Sequence, residues 1–261
     1  MGRNISLTPC REAGSGSGRP LVLLHGWGMN AAVWQPLLPL LHQQWEVTTI
    51  ELPGHGGSDS LPLESTVDDW ADACLQAAPP QAVWMGWSLG AQIALQAALR
   101  QPQRLTALVM LAGTPCFVRC SDWPCGMAES DLLQFGDALI TSPAQTLMRF
   151  LGLQVRGSQQ SREVLRLLKA SVTMRPAAST DALLTGLQLL LHTDQRSQLH
   201  QLEMPSVWLY GKQDRLIPAA TANCVRQLLS DAEVEMIDGA GHAPFLSHAE
   251  QCMRVLESLN D

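Results

Sequence analysis

Ala82-Val83-Trp84-Met85-Gly86-Trp87-Ser88-Leu89-Gly90-Ala91-Gln92-Ile93-Ala94-Leu95 begins as an apolar run, crosses a G-x-S-x-G sequence and continues with helical spacing. A buried strand over Ala82–Gly86 feeding a helix over Leu89–Gln101 places Ser88 on the turn between them. Strand and helix backbones approach closely at such a turn, so small residues must flank it, as Gly86 and Gly90 do. The Ser88 hydroxyl is then held clear of the backbone at the carboxyl edge of a sheet. A serine that only caps the helix is the plainer reading. The strand before it and the glycines on both sides favour a nucleophile instead.

Outward from this turn the same rhythm repeats. Leu21–Leu24, Val47–Leu52 and Leu105–Ala112 read as further buried strands, and Ala31–Gln43 and Thr66–Ala78 as helices. The Gly/Ser-rich stretch from Glu12 to Pro20 reads as a hairpin loop after a short first strand. Past Gly113 the pattern turns Leu-rich and helical, without a convincing strand, until about Gln198. Alternation then resumes with a strand at Pro205–Tyr210, a helix at Ala219–Leu229, a strand at Val234–Ile237 and a helix at Ala249–Leu259. Strands alternating with helices imply a mostly parallel central sheet with helices on its faces. The expectation is one α/β domain, with residues 1–115 and 199–261 as its core and 116–198 inserted as a helical lid.

A serine hydroxyl is a poor nucleophile until a base takes its proton. His42, His192, His200 and His248 read as surface residues, His55 sits in a Gly-rich turn and His25 ends a strand. His242 differs, because the loop Asp238-Gly239-Ala240-Gly241-His242-Ala243-Pro244 follows a late strand and can return the imidazole to Ser88. The base needs a carboxylate to orient it, and Asp214, after the strand Pro205–Tyr210, is the first candidate. Asp238 is the second, although its nearness in sequence suits shaping the loop. Two backbone donors for an oxyanion are read at Leu89, opening the helix, and at Trp27 in His25-Gly26-Trp27-Gly28. Each such donor is typically worth ~3 kcal/mol of barrier.

The chain has 261 residues, 46% of them hydrophobic and 16% charged, an ordinary globular composition. A net charge of −7 argues against nucleic acid as the main partner. No run approaches the roughly 18 apolar residues that span a bilayer, and no secretory signal is visible, so a cytoplasmic protein is expected. The expected oligomeric state is a monomer. Gly2 and Ser6 fit a loose myristoylation pattern that short sequences match by chance. Seven cysteines without a C-x-x-C pair read as free thiols, Cys116, Cys120 and Cys125 included. No metal or organic cofactor is expected, since nucleophile, base and oxyanion donors suffice for ester hydrolysis.

Taken together, His25-Gly26-Trp27-Gly28, Leu52-Pro53-Gly54-His55-Gly56, Gly86-Trp87-Ser88-Leu89-Gly90, Tyr210-Gly211 with Asp214, and Gly241-His242-Ala243-Pro244-Phe245 resemble the α/β-hydrolase fold. The order Ser88, Asp214, His242 is the chain order of that superfamily. Thr114-Pro115-Cys116-Phe117, Trp123-Pro124 and Arg149-Phe150-Leu151 with Leu153-Gln154 extend the resemblance to one subgroup, the esterases of biotin synthesis that demethylate pimeloyl-acyl-carrier-protein methyl ester. The likeness implies an acyl-enzyme route releasing methanol. It also implies substrate contacts at Trp27, Ser88, Leu89, Phe150, Leu151, Gly152, Leu153, Gln154 and His242. Glu51 departs from the superfamily's usual Asp, and Gln145 from an arginine common in the subgroup. A general short-chain esterase, a hydrolase-fold lyase of menaquinone synthesis and a binding protein with a vestigial triad are the competing readings.

The carrier protein is also suggested by charge. Residues 149–175 hold six Lys or Arg against one acid, a balance of +5, so the rest of the chain carries −12. Arg162, Arg166 and Lys169 share one helical face, which is either a solvated stripe or a docking face for an acidic partner. Arg149, Arg162 and Arg166 are the expected carrier-docking residues.

Overall fold

The computed structural model describes residues 6–11 and 18–259. Seven strands form one sheet in the order β1-β3-β2-β4-β5-β6-β7. They are β1 (Pro9–Arg11), β2 (Arg19–Leu24), β3 (Trp45–Ile50), β4 (Ala82–Trp87), β5 (Leu105–Leu111), β6 (Ser206–Gly211) and β7 (Glu233–Ile237). β1 pairs antiparallel with β3, and all other neighbours are parallel. The expected hairpin between β1 and β2 is therefore wrong, because β3 lies between them. Residues 12–17 of its loop, like the myristoylation pattern over residues 1–5, fall outside the described residues.

Strand side chains alternate between two cores, one on each face of the sheet. Val22, Leu24 and Trp84 pack into one with Trp70, Ile93 and Trp208. Leu21, Leu23, Val83, Met85 and Trp87 pack into the other with Trp34, Trp45 and Phe245. Burial on both faces is why these strands read as continuous apolar runs rather than alternating ones.

The helices are α1 (Leu38–Leu41), α2 (Val67–Ala77), α3 (Leu89–Arg100), α4 (Glu129–Thr141), α5 (Pro143–Gln154), α6 (Ser161–Thr173), α7 (Thr180–His192), α8 (Thr221–Leu228), α9 (Pro244–Ser247) and α10 (Ala249–Ser258). A capping box between Thr66 and Asp69 starts α2. Arg100 at the end of α3 holds Asp68 and Asp72 on α2 at 2.8 and 2.7 Å. The helix expected over Ala31–Gln43 is instead a 3-10 turn, Ala31–Trp34, followed by the single turn α1. Pro36 and Pro39 explain the difference, since neither supplies the amide a continuous helix needs. β3 stops two residues earlier than expected. The Glu51 amide turns to the Thr8 carbonyl and the Leu52 amide to His25 Nε2.

Helices α4 to α7 lie between β5 and β6 in sequence, and no strand longer than an isolated bridge forms among them. Cys125 and Cys224 are bonded across 99 residues, a correction to the expectation of free thiols throughout. The segment before α4 folds back onto α8, where the Thr221 hydroxyl donates to the Cys125 carbonyl and brings the two cysteines together. Among the described residues, no helix is long and apolar enough to cross a membrane.

Candidate active site

Pairings such as Leu24 with Gly86, Trp87 with Leu111 and Gly211 with Ile237 align the carboxyl ends of β2, β4, β5, β6 and β7 on one edge. The loops leaving that edge carry every residue of the expected machinery. Ser88 sits between β4 and α3 with φ +55° and ψ −116°, a conformation that L residues rarely adopt. Its amide is held by the Leu111 carbonyl at 3.0 Å. A Cβ on Gly86 would overlap Ala91, and one on Gly90 would overlap the Leu24 and His25 carbonyls. Glycine at both positions is thus a packing requirement of the turn.

Asp214 is buried in the loop after β6. Its Oδ1 accepts the Leu216 and Ile217 amides at 2.8 and 3.0 Å, while Oδ2 meets His242 Nδ1 at 2.7 Å. His242 is fully buried, and its Nε2 has no hydrogen-bond partner among the described residues. The ring is therefore fixed through Nδ1, with the other nitrogen free for chemistry. Asp238 lies elsewhere, exposed and paired with Lys212 at 2.8 Å. Of the two candidate acids, Asp214 is the one that contacts His242.

Two contacts hold the histidine loop that the sequence reading had not assigned to it. Trp87 Nε1 donates to the His242 carbonyl at 2.7 Å, and the His242 amide donates to the Gln154 carbonyl at 3.0 Å. Gln154 was read as a substrate contact. Its backbone also ties α5 to the loop of His242, and Gly241 leaves room for that approach.

The loop after β2 packs directly on Ser88, since a Cβ on Gly26 would lie 3.3 Å from the Ser88 Cβ. The Leu89 amide is the first of α3 and has no carbonyl within its own helix to bond. Trp27 is buried, its indole N–H already given to the Leu183 carbonyl on α7 at 2.8 Å, so of its N–H groups only the backbone amide can donate to a ligand. Phe150 meets the Trp27 ring edge-on at 4.8 Å, and Leu153 belongs to the same cluster. Leu151 does not, because it packs on the opposite side with Val155, Leu168 and Phe245. Gly152 is half-buried on α5.

Beneath the site lies a group that sequence reading missed, because it joins residues assigned separate, ordinary roles. Glu51 is fully buried, with Oε2 accepting the Ala31 amide at 3.0 Å and lying 3.3 Å from His25 Nε2. Its Oε1 faces Arg175 Nε, from the segment between α6 and α7, at 3.5 Å. Burial pushes the Glu51 carboxyl up, but His25, the Ala31 amide and Arg175 together outweigh it and hold the group below its ordinary range. The His55 ring lies 5.3 Å from that of His25, tilted by 53°, and burial pushes its pKa down to about 3.

Residues 19–249 match the α/β hydrolase fold family. The pimeloyl-[acyl-carrier protein] methyl ester esterase of Xylella fastidiosa is 42% identical over 245 residues, covering 93% of this chain and 95% of its own. That of Xanthomonas campestris pv. campestris is 44% identical over 243 residues, covering 92% and 94%. The chain belongs to the pimeloyl-[acyl-carrier protein] methyl ester esterase family. The resemblance drawn from motifs is borne out, and so is the class of carboxylic ester hydrolase that it implied. Among solved structures, an esterase from Exiguobacterium antarcticum superposes with a TM-score of 0.82 at 20% identity, covering 98% of this chain and 96% of its own. At that identity the match speaks for the fold.

Within this α/β hydrolase frame the expected carrier-docking arginines are all exposed. Arg149 lies over the Phe135 ring at 5.5 Å. Arg162 and Arg166 stand on α6, where Arg166 is already paired with Glu163 at 2.6 Å. The structure places Arg149 on a different helix from the other two.

Proposed function

We propose that this chain hydrolyses the methyl ester at the far end of a pimeloyl chain carried on acyl-carrier protein, releasing methanol for biotin synthesis. The observation that carries this reading is the likeness to curated relatives at 42–44% identity over nearly the whole chain. In this reading Ser88 attacks the ester carbonyl while His242 Nε2 takes its proton. Asp214 keeps the imidazole oriented and stabilises its charge. The Trp27 and Leu89 amides receive the oxyanion, and methanol leaves with the proton returned by His242. Water, activated by the same imidazole, then releases the acyl group.

Residues 116–198 act as the lid over a core of residues 1–115 and 199–261. Trp27, Phe150 and Leu153 wall the acyl chain, and Arg149, Arg162 and Arg166 face the carrier. The enzyme works as a cytoplasmic monomer. The test compares purified protein on carrier-linked pimeloyl methyl ester and on simple esters, with rescue of a biotin auxotroph lacking its own esterase. A strong preference for the carrier-linked substrate, with rescue, is expected. Equal activity on simple esters without rescue makes it a general esterase.

A further inference from the structure

A cleft of ≈ 500 Å³ opens between α4, the carboxyl half of α5 and the loop after β6. Arg149, Arg156 and Arg215 line it, brought from α5, the turn after α5 and the residue following Asp214. All three are exposed, and none of their guanidinium groups has a hydrogen-bonded or ion-paired partner among the described residues. Arg100, Arg104 and Arg196 are, by contrast, engaged by carboxylates or carbonyls. A single carboxylate, Asp131, joins them in the cleft, leaving a local balance of two positive charges.

Phe135, Leu153 and Leu216 add apolar surface to the cleft. This lining abuts the site itself. The Leu216 amide holds Asp214, and Leu153 precedes the Gln154 carbonyl that holds His242. Phe135 touches Phe150 at 5.6 Å, and Phe150 touches Trp27. The cleft is thus a basic, partly apolar approach to the residues around Ser88.

A concave site of this kind suits a slender ligand with an anionic end better than the convex surface of a folded protein. Guanidinium groups match phosphate oxygens in paired, charge-assisted hydrogen bonds, a geometry that a lysine's point charge does not supply. We propose that Arg156 and Arg215, with Arg149, bind the phosphodiester of the pantetheine arm that carries the acyl chain, with the arm lying along Phe135, Leu153 and Leu216. This deepens the proposed function and rests on it. Arg162 and Arg166, on α6 and outside the cleft, are left to meet the carrier's own surface.

The test uses Arg156→Gln, Arg215→Gln and the double variant on three substrates. Each substrate bears the same pimeloyl methyl ester, linked to carrier protein, to free phosphopantetheine, or to pantetheine without phosphate. The double variant is expected to raise KM about tenfold on the first two, leave kcat within about twofold and leave the third substrate unaffected. Free phosphopantetheine should compete in the wild type and compete about tenfold less well in the double variant. Parallel losses on all three substrates would make the arginines structural and overturn the inference. Loss confined to the carrier-linked substrate would assign them to the protein surface and overturn it too. If the wild type cleaves all three and the variants match it, the inference falls while the esterase reading stands. If the wild type cleaves simple esters but none of the three, the esterase reading itself falls, and this inference with it.

Discussion

Ser88 holds a backbone conformation with φ +55° that costs of order 1–3 kcal/mol for a residue bearing a Cβ. Substituting Ser88→Ala removes the hydroxyl but keeps that strain, so turnover and fluorophosphonate labelling should vanish while the melting temperature hardly moves. Ser88→Gly should be equally inactive yet about 1 kcal/mol more stable than Ser88→Ala, because glycine tolerates the conformation. Residual labelling of either variant, or a less stable Ser88→Gly, would mean that the turn is not strained around a nucleophile. The acid is tested by a matched pair. Asp214→Asn strips the His242 ring of its charge partner and presents an amide to Nδ1, so kcat should fall by about 10⁴-fold. Asp238→Asn breaks only an exposed pair with Lys212 and should leave kcat within twofold, a change of the size expected for a surface site. A larger loss at Asp238 would reverse the assignment.

Between residue and molecule, the loop after β2 depends on Glu51 at the end of β3, which grips the Ala31 amide above it and Arg175 across from it. Glu51→Gln keeps the shape but removes the charge, so the loop carrying Trp27 should loosen. The expected result is a kcat about tenfold lower with KM little changed, and about 2 kcal/mol lost in stability. The sign of the pH dependence follows from a folded-state pKa held below the ordinary 4.5. The charge then stabilises the fold above that value, and its contribution disappears as the pH falls through the lower, folded pKa. Urea midpoints of wild type and Glu51→Gln should differ at pH 7 and converge on acidification below about 4.5. A gap independent of pH would deny the carboxylate its role. Such couplings mark where sequence reading stops. Helices α2 and α3 and strands β4 and β5 were legible to within about a residue or two, because a parallel strand buried on both faces and a capped helix each leave a local pattern. Pro36 and Pro39 were equally visible, but apolar residues on every side of Ala31–Leu41 imitated a helix. What no local pattern encodes is assembly across the fold. His25 and His55 beside Glu51, Arg215 beside Arg156, and Cys125 against Cys224 meet only after β3, α5 and α8 have taken their places.

At the scale of the whole molecule, positive charge is gathered on α5, α6 and the segments beside them, against an acidic remainder. Such asymmetry acts over several ångströms of solvent and governs encounter more than bound contacts. Reversing Arg149, Arg162 and Arg166 together to Glu should raise KM for the carrier-linked ester mainly by slowing association, with little effect on a small neutral ester. The structure sharpens this by showing that Arg166 is already bonded to Glu163 through both of its terminal contacts at 3.0 and 2.6 Å. Its field is partly cancelled, whereas Arg162 has no such partner among the described residues. Arg162→Glu should therefore raise KM more than Arg166→Glu. Glu163→Gln, which releases Arg166, should lower KM below that of the wild type. All of these differences should shrink as ionic strength approaches the range where the Debye length falls to a few ångströms, near 1 M salt. Stopped-flow association with carrier protein at two salt concentrations measures the effect directly. If Glu163→Gln leaves association unchanged while the triple reversal slows both substrates alike, the arginines are holding α5 and α6 in place, and carrier recognition must lie elsewhere on the surface.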